Sequence, residues 1–456
     1  MGTIAIASAL GLFVTTASQD IAATATVLRN VVVVDGTGKA AQKNQDVVIT
    51  GDRILAIRPA GSSVPKDARV MDMKGKTIMP QMINTHAHLG LLKGTTMSSA
   101  NYTEDNIRRQ LLRYEAYGVG AVLALGTDHE EIFALREASH KGTLPGATIY
   151  TAGMGFGVKD ALPPISFGMD RVFRPDSAEE ARKELRQLAA KKPDVLKIWV
   201  DDFWGQYPPI MKPEIYSAII DEAHKLGLRV ASHVYNLEDT RKLVGLGLDI
   251  IAHSVRDGEI DDALLAEMKK RRVAYVATLS LDEFAFAYQD APEWLNDPYF
   301  QASLEPGVLQ MITSPEYKEK VRSNKNTALE MSAFQMGLKN VKRVFDAGVL
   351  VALGTDSGAQ PVRVQGFSEH MELELLVKAG LTPMQAITVA TKNGAQLLKI
   401  DDRCGTLEPQ KKANFIVLDK DPSTSIGNTK TISGVWKDGK KVSDGPLSNS
   451  AKQLTN

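Results

Sequence analysis

Between positions 82 and 355 the chain repeats one pattern eight times: a short apolar run, then in most cases a longer, charge-rich stretch with helical spacing. The runs are MINTHAH (82–88), GAVLALGT (120–127), TIYTAG (148–153), VLKIWV (195–200), RVASHV (229–234), IIAHSV (250–255), AYVATL (274–279) and LVALGT (350–355). SAEEARKELRQLAAKK and PEIYSAIIDEAHKLG typify the stretches between them. Runs of roughly four to eight apolar residues suit buried strands better than helices. Strands alternating with amphipathic helices build a parallel sheet with crossover helices. Eight such units predict an α/β chain folded as a closed (β/α)8 barrel of the TIM type.

The texture changes at both ends. VLRNVVVVDGTG, DVVITGDRILAIRP and ARVMDMKGKTIMP alternate and stop at Gly, Asp or Pro, as do ANFIVLDKDP and ISGVWKDGKKV far downstream. Neither end alone supplies enough strands to bury a core. The expected division is therefore a composite β-sandwich from 25–80 plus 403–445, a barrel at 81–402 and a tail at 446–456. Segment 1–24 is treated apart. Its uncharged stretch Thr3–Val14 is too short to span a bilayer. It has the length of a signal-peptide apolar region but lacks the basic flank. A signal remnant on a periplasmic or secreted protein and an apolar tail on a cytoplasmic one both stay open.

Charge and cysteine content remove several function classes. Lys+Arg 54 against Asp+Glu 54 leaves no basic excess for nucleic acid or an acidic membrane. One cysteine, Cys404, excludes an intramolecular disulfide, a cysteine-built zinc site and an iron–sulfur cluster. Cys404 reads as a small packing residue.

The polar residues then fall in one place. His86 and His88 end the first run, Lys197 sits in the fourth, His233 ends the fifth, His253 lies in the sixth, and Asp356 follows the eighth in GTDSG. The C-terminal ends of barrel strands carry the active site. His86 and His88, two apart on a strand, face the same side. Imidazoles and a carboxylate without thiolate suit Zn²⁺, with Mn²⁺, Co²⁺ or Fe²⁺ as alternatives. Lys197 stands between Leu196 and Ile198, where a buried, unpaired ammonium would cost several kcal/mol or lose its proton. It reads either as the partner of Asp201 or Asp202 in a salt bridge, or as a neutral amine that reacts with CO₂. The resulting N6-carboxylysine would bridge two metals.

HxH on the first strand, Lys on the fourth, His on the fifth and sixth and Asp on the eighth resemble the amidohydrolase superfamily. So do HMELELLVKAGLTPMQAITVATKNGAQLL and TLEPQKKANFIVLDKDP, and the resemblance covers nearly the whole chain. It points most to the branch of Xaa-Pro dipeptidases, metal-dependent carboxypeptidases and ochratoxin-hydrolysing amidases. Gln81 and Asn84 depart from the usual Gly and Asp. The resemblance implies that His86, His88 and Asp356 hold one of two divalent ions and that His233 and His253 hold the other. Carboxylated Lys197 would bridge them with a hydroxide. Two cations lower the pKa of a bridging water, and Asp356 would carry its proton to the leaving amine. Tyr235, in SHVYN, would donate to the carbonyl oxygen, worth roughly 2–4 kcal/mol in comparable sites. Asp356, Tyr235 and His253 form the expected catalytic set.

The expected activity is hydrolysis of an amide bond in a small molecule: an N-acyl amino acid, a dipeptide or an ochratoxin-like amide. Lactonase or phosphotriesterase chemistry on the same metals remains an alternative. So does a deaminase or cyclic-amide hydrolase, which usually lacks the fourth-strand Lys and needs a Glu near the fifth strand, where only Glu238 stands. A retired barrel serving as scaffold is the non-enzyme alternative, although all six ligands are present. A homo-oligomer is expected. Arg256 and Arg363 are candidates for gripping a substrate carboxylate as bidentate forks, beside Tyr235. Phe284, Phe286, Tyr288, Trp294, Tyr299 and Phe300 read as an aromatic lid, a hairpin core or an oligomer contact. Phe203 and Trp204 raise the same question. His129 is a weak pocket candidate, and His140, His224 and His370 read as structural. GMGFG (153–157) does not open a helix and carries no nucleotide claim.

Overall fold

The computed structural model describes residues 25–64 and 66–448, so segment 1–24 and most of the 446–456 tail lie outside the described residues. Every one of the eight runs is a strand. In order they are Met82–Ala87, Val119–Ala124, Thr148–Thr151, Leu196–Trp199, Val230–His233, Ile250–Ala252, Ala274–Val276 and Leu350–Val351. Each begins within a residue of the apolar run that predicts it. All eight stop short of its end, because the last residues of each run leave strand geometry.

Pairing is parallel throughout, but not continuous. The first three strands form one sheet and the last five another. Two seams separate them. At one, Phe156 bridges Ile198, with Phe156 N–H on the Lys197 carbonyl at 2.8 Å. At the other, Ala87 bridges Ser357, and Thr85 N–H donates to the Leu353 carbonyl at 2.8 Å. The first seam has a local cause. GMGFG leaves strand geometry at Gly153, which has φ +64°, and first bridges the fourth strand at Phe156.

The two chain ends meet in one eight-stranded sheet. Phe415–Leu418 runs antiparallel to Thr77–Pro80, pairing Phe415 with Pro80 and Ile416 with Met79. Thr77–Pro80 leads straight into Met82–Ala87, so this sheet anchors the strand that carries His86 and His88. The helices obey their local signals. Ser177 caps Ala178–Ala189 by accepting from Glu180 N–H, and Pro213–Lys225 opens on a proline. Among the described residues no helix is long and apolar enough to cross a membrane.

The aromatic-rich segment after the seventh strand is mostly its own core. Phe300 is fully buried, with ring centroids 4.7 Å from Trp294 and 4.9 Å from Phe367. The Tyr299 hydroxyl pairs with His370 Nε2 at 2.8 Å. His370 also contacts Thr429, and His140 pairs with the Ile149 carbonyl, in keeping with the structural reading of both. Of the six aromatics, Phe284 alone lines the main cavity. Cys404 is half-buried and packs beside an apolar cluster.

Candidate active site

His86, His88 and Asp356 converge so that one ligand atom from each lies within 4.8 Å of the others. Asp356 Oδ1 is 3.1 Å from His86 Nε2 and 2.9 Å from His88 Nε2. The His253 ring stands beside them, with its centroid 4.5 Å from those of both His86 and His233. All four imidazoles and the carboxylate are buried. Backbone strain marks the place. His253 and Asp356 have φ of +81° and +56°, a region that favours glycine. Each costs of order 1–3 kcal/mol, and such strain clusters at functional sites.

Burial sets the protonation states. Desolvation, with the Lys197 charge second, pushes His86 down to about 3. It also lowers His233 and drives His253 well below the usual value. For His86, His233 and His253 burial therefore favours the neutral ring, the form that binds metal. Burial alone would raise Asp356, but Arg363 and the neighbouring imidazoles hold it well below the usual carboxylate range.

Lys197 is fully buried, and its Nζ has no hydrogen-bond partner. The salt bridge to Asp201 or Asp202 is not formed. Asp201 instead lies 3.4 Å from His233 Nε2 and accepts from Phe203 N–H. Burial brings the Lys197 ammonium down to about 7, against the opposing pull of Asp356 and Asp201. Gly126 makes room for the stem, since a Cβ there would come within 2.6 Å of Lys197 Cβ and Cγ.

These orphaned atoms test whether divalent ions fit. Lys197 Nζ and His86 Nδ1 are buried without hydrogen-bond partners, His233 Nε2 has only Asp201 at 3.4 Å, and buried polar groups are seldom left so. His88 and His253 have Nδ1 tied to Thr127 and Thr278, leaving Nε2 for other use. With an all-imidazole and carboxylate donor set, the residues fit.

The site opens into a cavity of about 580 Å³. Leu162, Pro163, Phe167, Met169, Trp204 and Tyr207 give it apolar surface, and Arg256, Asp282, Lys320, Asn324, Glu330 and Arg363 give it polar surface. Both candidate arginines are there, and both have partners. Arg256 Nε is 2.8 Å from Asp282 Oδ1, while its Nη1 and Nη2 are unpartnered. Arg363 Nη1 bonds to Asp356 Oδ2. Tyr235 lies beneath Arg256, 5.4 Å from ring to guanidinium, and its hydroxyl is buried and unpartnered. Phe203 and Trp204 line the cavity too. His129 stacks on Tyr102 at 4.0 Å and is not part of the cavity wall.

Several residues here escape a reading of the sequence. Thr127 and Thr278 sit in the last two positions of the second and seventh runs, a position that could have flagged them. Asp282, and the Tyr317–Ala333 wall between the seventh and eighth strands, carry no local signal.

Residues 77–442 match the model of the amidohydrolase family. The chain belongs to that family and is a hydrolase acting on carbon–nitrogen bonds. A 5-methylthioadenosine/S-adenosylhomocysteine deaminase of Halalkalibacterium halodurans is 24% identical to it over 418 residues, 86% of this chain and 85% of the relative. A Xaa-Pro dipeptidase structure with bound methionine in the active site superposes with a TM-score of 0.73 at 22% identity, covering 92% of this chain and 100% of the other. The A. niger ochratoxinase structure gives 0.70 at 20% identity, with 93% and 97% covered. At such identities the two structures speak to the fold alone.

Proposed function

We propose that this chain hydrolyses an amide bond in a small molecule such as an N-acyl amino acid, a dipeptide or an ochratoxin-like amide, with two divalent ions bound. His86, His88 and Asp356 would hold one ion, and His233 and His253 the other. Zn²⁺ is the best match to the donors. Ions bound there supply a water of lowered pKa and polarise a substrate carbonyl. The single observation that carries this reading is Lys197: a buried amine with no hydrogen-bond partner, 5.2 Å from the centre of the Trp199 ring, among four histidines. Its nitrogen adds to CO₂, a proton leaves, and the carbamate places a negative charge between the two ligand sets.

The remaining steps belong to the chain. Asp356 takes the proton of the attacking water and delivers it to the departing amide nitrogen. The Tyr235 hydroxyl donates to the carbonyl oxygen as negative charge grows. Arg256, through its unpartnered Nη1 and Nη2, and Arg363 receive a substrate carboxylate. The same reading takes the eight parallel strands as one (β/α)8 barrel at 81–402. It takes 25–80 plus 403–445 as a β-sandwich domain, and the native protein as a homo-oligomer.

A second reading, a one-ion deaminase, is favoured by the deaminase relative and by the compact His86–His88–Asp356 group. Metal analysis joined to a panel of N-acyl amino acids, dipeptides, lactones, ochratoxin-like amides and an aminopurine nucleoside tests both. About two ions per chain with amide turnover is the expected result. One ion with release of ammonia from an aminopurine would replace the first reading by the second.

A further inference from the structure

Each ligand set contains one imidazole whose Nδ1 is already engaged. His88 Nδ1 lies 2.7 Å from Thr127 Oγ1, and His253 Nδ1 lies 2.8 Å from Thr278 Oγ1. Both hydroxyls are buried, and each has the imidazole as its hydrogen-bond partner. If the ring Nδ1–H donates to the threonine oxygen, the proton is fixed on Nδ1. The lone pair then stays on Nε2, and the ring cannot swivel about χ2.

Thr278 is held there against local preference. It is β-branched, yet has φ +55°. The Glu372 carboxylate secures it by accepting from the next two backbone N–H groups, Leu279 at 2.9 Å and Ser280 at 2.8 Å. A strained threonine, clamped from behind and aimed at a histidine ring, has the form of a built support. Thr127, the last residue of the second run, meets the His88 ring in the same way.

We infer that Thr127 and Thr278 are positioning residues, one for each ion. Thr127 aligns His88 for the ion shared with His86 and Asp356. Thr278 aligns His253 for the ion shared with His233. The inference rests on the proposed two-ion function and assigns each ion its own support.

Titration of the metal-free, full-length protein with Co²⁺, followed by visible absorbance and metal analysis, tests it without reference to turnover. Wild type takes up two ions. Thr127→Val weakens one uptake step by about 10–100-fold and spares the other, and Thr278→Val does the reverse. Thr127→Ser and Thr278→Ser restore most of the affinity, because they keep the oxygen. Val variants that bind both ions like wild type overturn the inference. So does equal loss of both steps with a matching drop in Tm, or serine no better than valine. Thr→Ala chains carry the same comparison if the Val chains do not fold. Wild type binding fewer than two ions overturns the proposed function itself, and this inference with it.

Discussion

Asn84 and Glu369 stand 285 positions apart and meet at 2.6 Å, Asn84 Nδ2 donating to Glu369 Oε1. The same carboxylate accepts from Thr355 at 2.8 Å, Ser357 at 2.9 Å and Gly366 N–H at 2.7 Å. Asn84 Oδ1 accepts from His86 N–H at 2.9 Å. One buried network therefore joins the strand carrying His86 and His88 to the residues on either side of Asp356. It also explains why an amide stands at 84, where the resembling family commonly has Asp. A carboxylate there would face Glu369 in a buried site and would lose the Nδ2 donor that now bonds it.

Asn84→Asp should accordingly destabilise the chain by about 1–3 kcal/mol, the usual penalty for an unsatisfied buried polar group. The deficit should shrink from neutral to mildly acidic pH, because protonating either carboxyl restores a donor. Urea unfolding of both proteins across that range measures it. A variant as stable as wild type at neutral pH would show that Glu369 does not need the amide.

Lys197→Ala should abolish turnover, a loss of about 10³-fold or more, while the chain still folds. Truncation removes a charge that is costly to bury. Short-chain carboxylic acids should restore part of the activity by filling the place of the carbamate. Unchanged turnover in this variant would remove Lys197 from the mechanism.

Asp356→Asn keeps the shape and removes the base. Catalysis should fall by about 10²–10⁴-fold, the range of a lost general acid–base group. The pH–rate profile should change shape with it. A mutant with a wild-type profile would assign the proton transfer to another group.

Glu372 predicts a pH dependence of stability. Burial raises its pKa from 4.5 to about 8, outweighing two N–H donors that favour the charged form. From about pH 4.5 to 8 the folded chain therefore holds a proton that the unfolded chain has released. Its contribution is fully present below 4.5 and is lost as pH rises through the folded value. Glu372→Gln should flatten that slope in denaturant titrations at a series of pH values. A wild-type-minus-mutant difference that stays constant over the window would contradict it.

The sequence by itself determined the strand succession and singled out the candidate ligands, because both are written in short-range pattern. Apolar runs of strand length mark Met82–Ala87 through Leu350–Val351, and the polar residues at their C-terminal ends stand out against them. The tertiary structure decided what those side chains meet. It turned Asp201 from Lys197 toward His233, paired Arg256 with Asp282 and Arg363 with Asp356, and set Thr278 beneath His253. It also buried Tyr299 and Phe300 in a core of their own and left Phe284 to the cavity. These outcomes depend on burial and on partners beyond the short-range pattern, 7 positions away for Arg363 and Asp356 and 25 for His253 and Thr278. No local spacing carries that information, because a buried polar group takes its partner from whatever the packed chain brings within reach.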